Sequence, residues 1–329
     1  MTQRNQEIPA TSAFVGRSGA AQGDPLLAGQ RRAEQFLDGD VGAIWSASTP
    51  QMQQVFGTAG NLAAWRADLL ANYGAEETIL SERADEHADY AVYSRVSRWT
   101  LTAEPLELTI AFDGSDRIAG FAMGPQAVAA PSRYLDYQTK ATLTLPVDGD
   151  WFVYWGGRDI ADNYHAVDVA QRFALDLLIL RDGESHSGDT VSLESYHCWG
   201  QPVLAPADGV VVQAVEGLPD QAIGASDSDN PAGNHIVLDF GNEEYGFLAH
   251  LQQGSLRVTT GDVVTAGQEI GLCGNSGNSS EPHLHFHIQT SPTLGQGEGL
   301  PAQFTTYRAQ GRLIARGEPR KGDSIQPAD

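Results

Sequence analysis

The chain has 329 residues, enough for two domains that each bury a core of their own. Hydrophobic residues make up 41% of it and charged residues 19%, and no stretch approaches the roughly 18 uninterrupted apolar residues of a membrane helix. Acidic residues outnumber basic ones by 42 to 20, which gives a formal net charge of −22 at pH 7. Such a surface repels phosphate backbones and anionic lipids, which argues against nucleic-acid and membrane partners.

The first predicted elements are helices. Residues 1–24 are small and polar, contain no apolar core of a signal peptide, and predict a disordered arm. Apolar residues then recur at helical spacing, and Asp40 is placed to cap a second, short helix. A third helix is predicted over residues 62–73, with Gly74 at its end.

After these helices the apolar period changes to two. Strands are predicted at 90–96, 106–112 and 118–123, so residues 25–124 form a small α+β domain. The order of elements resembles the cone-shaped domains of the nuclear-transport-factor-2-like group. We see no catalytic cluster in this domain, and its one histidine, His87, is predicted to be solvated.

The second half of the chain is predicted to be all-β, an antiparallel sandwich or open barrel. Residues 125–150 form a linker and lead-in strand, 151–317 form the domain, and 318–329 form a loose charged tail. Glycine and proline interrupt this domain every 8 to 12 residues. The clearest strands are 174–180, 209–215, 235–240, 245–251, 269–272 and 283–289.

Histidines concentrate in this second domain. Eight of the nine lie between positions 165 and 287, and His283, His285 and His287 alternate along one predicted strand. Their side chains project from one strand face, about 6–7 Å apart. Because every buried imidazole needs partners for its ring nitrogens, this pattern favours a metal or catalytic site.

The flanking motifs give the domain a family resemblance. Residues 151–290 resemble the lysostaphin-type zinc peptidases in a glycine-rich turn at 271–277 followed by His-Leu-His. The family's other core motifs match Ala-Pro-Ala-Asp-Gly-Val at 205–210, Phe-Leu-Ala-His-Leu at 247–251 and Gly-Asp-Val-Val-Thr-Ala-Gly-Gln at 261–268. The resemblance implies an extracytoplasmic endopeptidase that cuts the peptides of bacterial peptidoglycan.

The resemblance also implies roles for individual residues. Members of the family hold zinc with a histidine, an aspartate and the second histidine of His-x-His, which here is His285. They use zinc to acidify a water molecule, which attacks the peptide carbonyl. By the same resemblance, His250 and His283 are catalytic and stabilise the developing oxyanion or move protons to the leaving amine.

The first two zinc ligands depart from the family pattern. The usual His-x-x-x-Asp spacing is absent, because Arg172 stands four residues before Asp176. We predict His165 and Asp176 as ligands, since a carboxylate in an apolar strand needs a compensating cation. The alternatives are Asp168 as the acidic ligand, His186 as the histidine, or an ion pair between Asp176 and Arg172.

Two other functions of the domain compete with a zinc peptidase. A catalytically inactive relative that binds wall or activates other hydrolases fits the altered ligand spacing. A biotinyl- or lipoyl-type carrier would need a lysine in its hairpin, and this region has none. His197, His235 and His287 are assigned structural parts, and the sequence leaves open whether Cys198 and Cys273 pair.

Overall fold

The computed structural model describes residues 24–86 and 90–328. The predicted arm, apart from Asp24, lies outside these residues, and so does His87, which was predicted to be solvated. The chain divides into two compact units, with the boundary between Ala127 and Val128. In the described ranges, none of the helices is long and apolar enough to cross a membrane.

Four helices open the first unit, each capped by a polar side chain. Asp24, Asp40, Thr49 and Thr58 accept hydrogen bonds from backbone N–H groups of the first turns, which would otherwise lack partners. The helices are α1 (Pro25–Asp38), α2 (Val41–Ala47), α3 (Pro50–Phe56) and α4 (Ala59–Tyr73).

An antiparallel sheet of four strands completes the first unit. Its strands, paired in chain order, are β1 (Glu76–Glu86), β2 (Tyr90–Trp99), β3 (Leu106–Asp113) and β4 (Ile118–Pro125). Its core packs apolar helix residues such as Phe36 and Leu62 against strand residues such as Ile110 and Phe121. The helices and sheet agree with the predicted α+β class, whereas the likeness to the nuclear-transport-factor-2-like group stays a prediction.

The second unit is built from antiparallel strands and two short 3₁₀ turns, at Tyr164–Val167 and Leu193–Ser195. Its strands are β5 (Trp151–Trp155), β6 (Leu175–Leu178), β7 (Pro202–Leu204), β8 (Gly209–Val215), β9 (Asn234–Asp239), β10 (Tyr245–Leu251), β11 (Val263–Val264), β12 (Glu269–Leu272), β13 (Leu284–Gln289), β14 (Gly299–Leu300), β15 (Phe304–Ala309), β16 (Arg312–Gly317) and β17 (Ser324–Pro327). The large sheet has the order β11-β8-β9-β10-β13-β6-β5-β17-β15-β16, with β14 beside β13, and β7 pairs with β12.

The two faces of β13 differ in chemistry. Leu284, Phe286 and Ile288 point into the apolar core, which also holds the free thiols of both cysteines. Successive strand residues face opposite sides, so the histidines of β13 lie on the other face. His285 is paired across the sheet with Asp176 of β6 and with Ala249 of β10.

The two ends of the second unit differ in how well they were predicted. The lead-in part of the segment 125–150 belongs to the second unit, since Leu143, Leu145 and Val147 are buried in its core. The tail from 318 is not loose: β17 pairs with β5 and β15, and Ile325 is fully buried. One apolar residue in a polar tail gives too weak a period to reveal a strand.

Candidate metal centre

Three side chains predicted as ligands lie together in the second unit. The Nε2 atom of His165 lies 3.1 Å from both carboxylate oxygens of Asp176, and Nδ1 of His285 lies 2.9 Å from its Oδ1. One potential ligand atom from each residue falls within 4.8 Å of the others, and all three residues are buried. Among the described residues, this is the one group of three or more His, Cys, Asp or Glu side chains with such spacing.

Two of the three side chains are positioned by neighbouring strands. Asp176 lies on β6, which pairs with β13 on one side and β5 on the other. The register places Asp176 directly opposite His285, so both project from the same sheet face. Trp155 of β5 is the partner of Asp176 on the other side.

The third side chain, His165, comes from the 3₁₀ turn and is tied to β6 by a buried amide. The side-chain oxygen of Asn163 accepts a hydrogen bond from the backbone N–H of His165 at 3.1 Å. Its Nδ2 donates to the carbonyls of Gly157 and Ala174, each at 3.0 Å. Ala174 precedes β6, so Asn163 holds the histidine loop against the aspartate strand despite the eleven-residue separation.

The charge environment of Asp176 differs from that of a buried ion pair. Burial by itself would raise the pKa of its carboxyl group, but the polar contacts with His165, His283 and His285 hold that pKa well below its usual value. Arg172 donates instead to the carbonyl of Ala166, at 3.2 Å. In the described part of the chain, every ion pair of Asp176 is with a histidine.

The donor set fits a divalent metal ion. Two imidazole nitrogens and one carboxylate oxygen are ligands of catalytic zinc sites, in which about 2.0–2.1 Å separates each N or O atom from the metal. At tetrahedral angles such bonds put ligand atoms about 3.3 Å apart, close to the observed 2.9 and 3.1 Å. Burial also lowers the pKa of His285, which keeps its imidazole in the neutral form that binds metals.

The two predicted catalytic histidines lie beside this group. His283 donates from Nδ1 to the carbonyl of Glu281 at 2.8 Å, and its Nε2 lies 3.7 Å from Oδ1 of Asp176. His250 donates from Nδ1 to the carbonyl of Ser276 at 2.8 Å, and its ring centroid is 4.7 Å from that of His283. Burial holds the pKa of His250 well below its usual value, so its ring is neutral.

The alternative ligands lie outside the group of three. Asp168 is exposed and accepts hydrogen bonds from the backbone N–H groups of Ala170 and Gln171, at 2.7 and 3.0 Å. These contacts are typical of an aspartate that stabilises a turn. His186 is partly exposed, and its ring lies 5.3 Å from that of Tyr196.

Sequence reasoning missed an aromatic neighbour of the site. The ring of Tyr164 lies 3.9 Å from the ring of His165, centroid to centroid, and that of Trp155 lies 5.5 Å from Tyr164. The only available signal was the position of Tyr164 next to a candidate ligand. It also missed a hydrogen-bonded row that continues from His285 to His287 and Gln289.

Comparison with known proteins finds a family match for part of this unit. The model of peptidase family M23 matches residues 186–296, a stretch that includes His250, His283 and His285 and ends short of His165 and Asp176. An uncharacterized metalloprotease of Haemophilus influenzae is 40% identical over 91 residues, which is 27% of this chain and 16% of that protein. The peptidoglycan DD-endopeptidase ShyA of Vibrio cholerae is 36% identical over 90 residues, 27% of this chain and 17% of that protein. The chain thus spans less than a fifth of the length of these two relatives.

The solved structures include a distant neighbour. The catalytic domain of the antimicrobial peptidase lysostaphin from Staphylococcus simulans is 23% identical, with a TM-score of 0.29, over 47% of this chain and 89% of that one. The likeness to family M23 rests on the match to the family's sequence model, and the His-Asp-His group is a separate observation. Residues 186–296 therefore carry the sequence pattern of peptidase family M23, and a metallopeptidase of that family is the class that the comparisons support for the second unit.

Proposed function

We propose that the second unit is a zinc-dependent endopeptidase that hydrolyses peptide bonds in bacterial peptidoglycan. The observation that carries this proposal is the buried group of His165, Asp176 and His285, in which no arginine or lysine of the described residues pairs with the carboxylate. A buried carboxylate is costly unless a cation or hydrogen bonds compensate its charge. The match to peptidase family M23, and the naming of one relative as a peptidoglycan endopeptidase, support the choice of reaction and substrate.

In this proposal His165, Asp176 and His285 hold the zinc ion through Nε2, a carboxylate oxygen and Nδ1. Bound zinc supplies Lewis-acid chemistry, which polarises a peptide carbonyl and makes water a stronger acid. Asp176 contributes one negative charge, so the site keeps a net positive charge for the oxyanion that develops on the carbonyl oxygen.

In this proposal His250 and His283 transfer protons between the attacking water and the leaving amine. Both rings are anchored through Nδ1, so Nε2 is the nitrogen that each ring offers to substrate and water. Hydrolysis takes one proton from the attacking water and delivers one to the amide nitrogen as the C–N bond breaks. A neutral imidazole accepts the first at Nε2 and then donates it to the leaving amine. The charged ring also stabilises the oxyanion between these steps.

The proposed substrate sets the proposed location outside the cytoplasm. The net charge of −22 gives no electrostatic attraction to an anionic wall, so affinity must come from contacts within the groove. Tyr164 lies beside His165 and is about half exposed, which makes it a surface for such contacts.

The test is digestion of purified peptidoglycan by the full chain, with mass spectrometry of the released fragments. We expect new amino termini in the stem or cross-bridge peptides, loss of cleavage after treatment with a chelator, and its return when zinc is added. Matched digests of the Asp176→Asn and Asp168→Asn variants separate the proposed centre from a neighbouring carboxylate. Cleavage that survives chelation contradicts a metal mechanism, and bound zinc without cleavage points to the inactive wall-binding alternative.

A further inference from the structure

A row of hydrogen bonds runs along β13 away from the candidate metal centre. Nε2 of His285 lies 2.8 Å from Nδ1 of His287, and Nε2 of His287 lies 3.2 Å from Oε1 of Gln289. His285, His287 and Gln289 are 4%, 1% and 0% exposed, so no solvent competes for these contacts. The row begins at Asp176, whose Oδ1 lies 2.9 Å from Nδ1 of His285.

The far end of the row fixes the direction of its hydrogen bonds. The amide nitrogen of Gln289 donates to three backbone carbonyls, those of Ser291, Thr293 and Gln296, at 2.8, 2.7 and 3.0 Å. Carbonyls only accept, so this side-chain atom is the NH₂ group and the oxygen is the one that faces His287. The Gln289 oxygen cannot donate, so Nε2 of His287 carries a hydrogen.

The donor and acceptor roles at His287 also determine those at His285. A second hydrogen on His287 would make a buried imidazolium stacked on Phe247, at 4.7 Å between centroids and 8° between planes, without a carboxylate beside it. Burying an unpaired charge is costly, so Nδ1 of His287 is the acceptor and Nε2 of His285 the donor. In a neutral ring of His285 this is the only ring hydrogen, so Nδ1 carries a lone pair that faces the carboxylate oxygen of Asp176 at 2.9 Å. A cation bound by both atoms removes the repulsion between these two acceptors.

We propose that His287 and Gln289 are positioning residues that hold the hydrogen of His285 on Nε2 and so present its Nδ1 lone pair to the metal. This inference rests on the proposed metal centre and adds residues that act on it without touching the ion. Histidine ligands in metalloproteins commonly donate their second ring N–H to such a partner, and loss of the partner costs about 10–100-fold in metal affinity or activity.

Substitutions at His287 give a matched set. His287→Phe keeps a ring against Phe247 and removes both nitrogens. His287→Asn restores an oxygen acceptor near the place of Nδ1. His197→Phe is the control, because His197 is half-buried and contacts Ser187 outside the centre. We expect His287→Phe to bind zinc about 10–100-fold more weakly in competition with a chelator, His287→Asn to recover most of that loss, and His197→Phe to match the unmodified chain.

Two measurements keep the inference testable if a variant folds poorly. Thermal unfolding without metal checks that His287→Phe is folded. Ring ¹⁵N chemical shifts of the unmodified, zinc-loaded chain need no variant, and we expect His285 to carry its hydrogen on Nε2. A hydrogen on Nδ1 of His285, or equal zinc affinity in a folded His287→Phe, overturns the inference.

The proposed function fails in a different way. Zinc binding with the expected affinity pattern but no hydrolysis of peptidoglycan overturns the proposed activity and leaves the positioning role standing. An unmodified chain that binds no zinc overturns both. Normal zinc binding and hydrolysis in His287→Phe overturns the positioning role alone.

Discussion

Each unit of the chain places a carboxylate among polar side chains, partly buried Glu82 in the first and buried Asp176 in the second, and the two clusters differ in their ion-pair partners. In the first unit, Glu82 receives a hydrogen bond from the hydroxyl of Tyr93 and one from Gln30 at 2.9 Å, and its Oε1 lies 2.9 Å from Nη2 of Arg95. Arg95 is 4% exposed and cannot lose its proton, so this cluster carries its own cation.

In the second cluster, no arginine or lysine of the described residues pairs with the carboxylate. The ion-pair partners of Asp176 are His165, His283 and His285. Against burial, the pKa of Glu82 is lowered by Tyr93, Gln30 and Arg95, whereas that of Asp176 is lowered by histidines only. Arg95 therefore gives Glu82 a cation of its own, whereas the described ion-pair partners of Asp176 are histidines, a residue type that also binds metals. This difference distinguishes an ion pair from the proposed metal site.

The largest expected effect comes from removing the carboxylate of the second cluster. We expect Asp176→Asn to lower zinc affinity by more than about 100-fold, the upper range for losing a partner outside the coordination shell, and to reduce hydrolysis to background. The cause is loss of the only anionic ligand. Zinc content after dialysis and the rate of peptidoglycan cleavage measure both effects. The control Asp168→Asn keeps the turn and should behave as the unmodified chain; the reverse ranking of the two variants contradicts the assignment.

Removing the cation of the first cluster should lower the stability of the first unit and leave zinc binding unchanged. Arg95→Met leaves the partly buried Glu76 and Glu82 without their cation, and the cost should stay below the ~3–5 kcal/mol for breaking a fully buried pair. Hydrogen–deuterium exchange of the full chain should rise in peptides from β2, while zinc content stays constant. Arg98→Met, an exposed change on the same strand, should stay within about 0.5 kcal/mol. Unchanged exchange in β2 would show that the cluster adds little to stability.

The sequence predicts some helices and strands of the two units and misses others. Apolar period and capping residues predicted six of the thirteen strands of the second unit and three of the four helices, because burial acts on every turn or every second residue. Helix α3 was missed although Thr49 and Pro50 mark its start, and β1 was missed because its sequence is polar on both faces. Strand β1 pairs with β2 along one edge of the sheet, where neighbours rather than its own pattern hold it.

The same limit applies to the metal centre. The alternation of His283, His285 and His287 was readable, since a strand fixes which side chains share a face. The approach of His165 to Asp176 was chosen from resemblance and from the cost of burying a carboxylate. What brings them together is Asn163, whose contacts depend on three carbonyl and amide positions across a loop. Such a contact produces no periodic pattern of residues, so it cannot be predicted from the sequence in this way.

Asn163 therefore offers the next test of the second cluster. Asn163→Ala leaves buried backbone groups without partners, which costs about 1–3 kcal/mol for such a group. Because the loop also carries His165, zinc affinity should fall together with stability. Urea unfolding without metal and chelator competition measure the two. Asn278→Ala, with an exposed side chain in the same unit, is the control. Full zinc affinity in a destabilised Asn163→Ala would show that other contacts place His165.

The smallest expected effect concerns a buried histidine apart from both clusters. His235 donates from Nδ1 to the carbonyl of Gly233 at 2.8 Å, and its Nε2 is buried without a hydrogen-bond partner among the described residues. Burial lowers its pKa and outweighs the hydrogen bond to Gly233, which raises it. An unfolded histidine has a pKa of about 6.5. Below that pH the unfolded chain binds a proton that folded His235 refuses, so its contribution to stability is complete above about pH 6.5 and is lost as the pH falls.

We expect the free energy of unfolding to fall less steeply with acid in His235→Phe than in the unmodified chain, by up to about 1.4 kcal/mol per pH unit for one proton. Urea unfolding between pH 7.5 and 5, with a chelator present to exclude metal linkage, measures the two slopes. Between pH 7.5 and 8.5 His235 is neutral in both the folded and the unfolded chain, so there the difference between the proteins should not change with pH. Parallel slopes below pH 6.5 would mean that folded His235 accepts its proton freely, and burial alone would then not suffice to keep an imidazole of this sheet neutral.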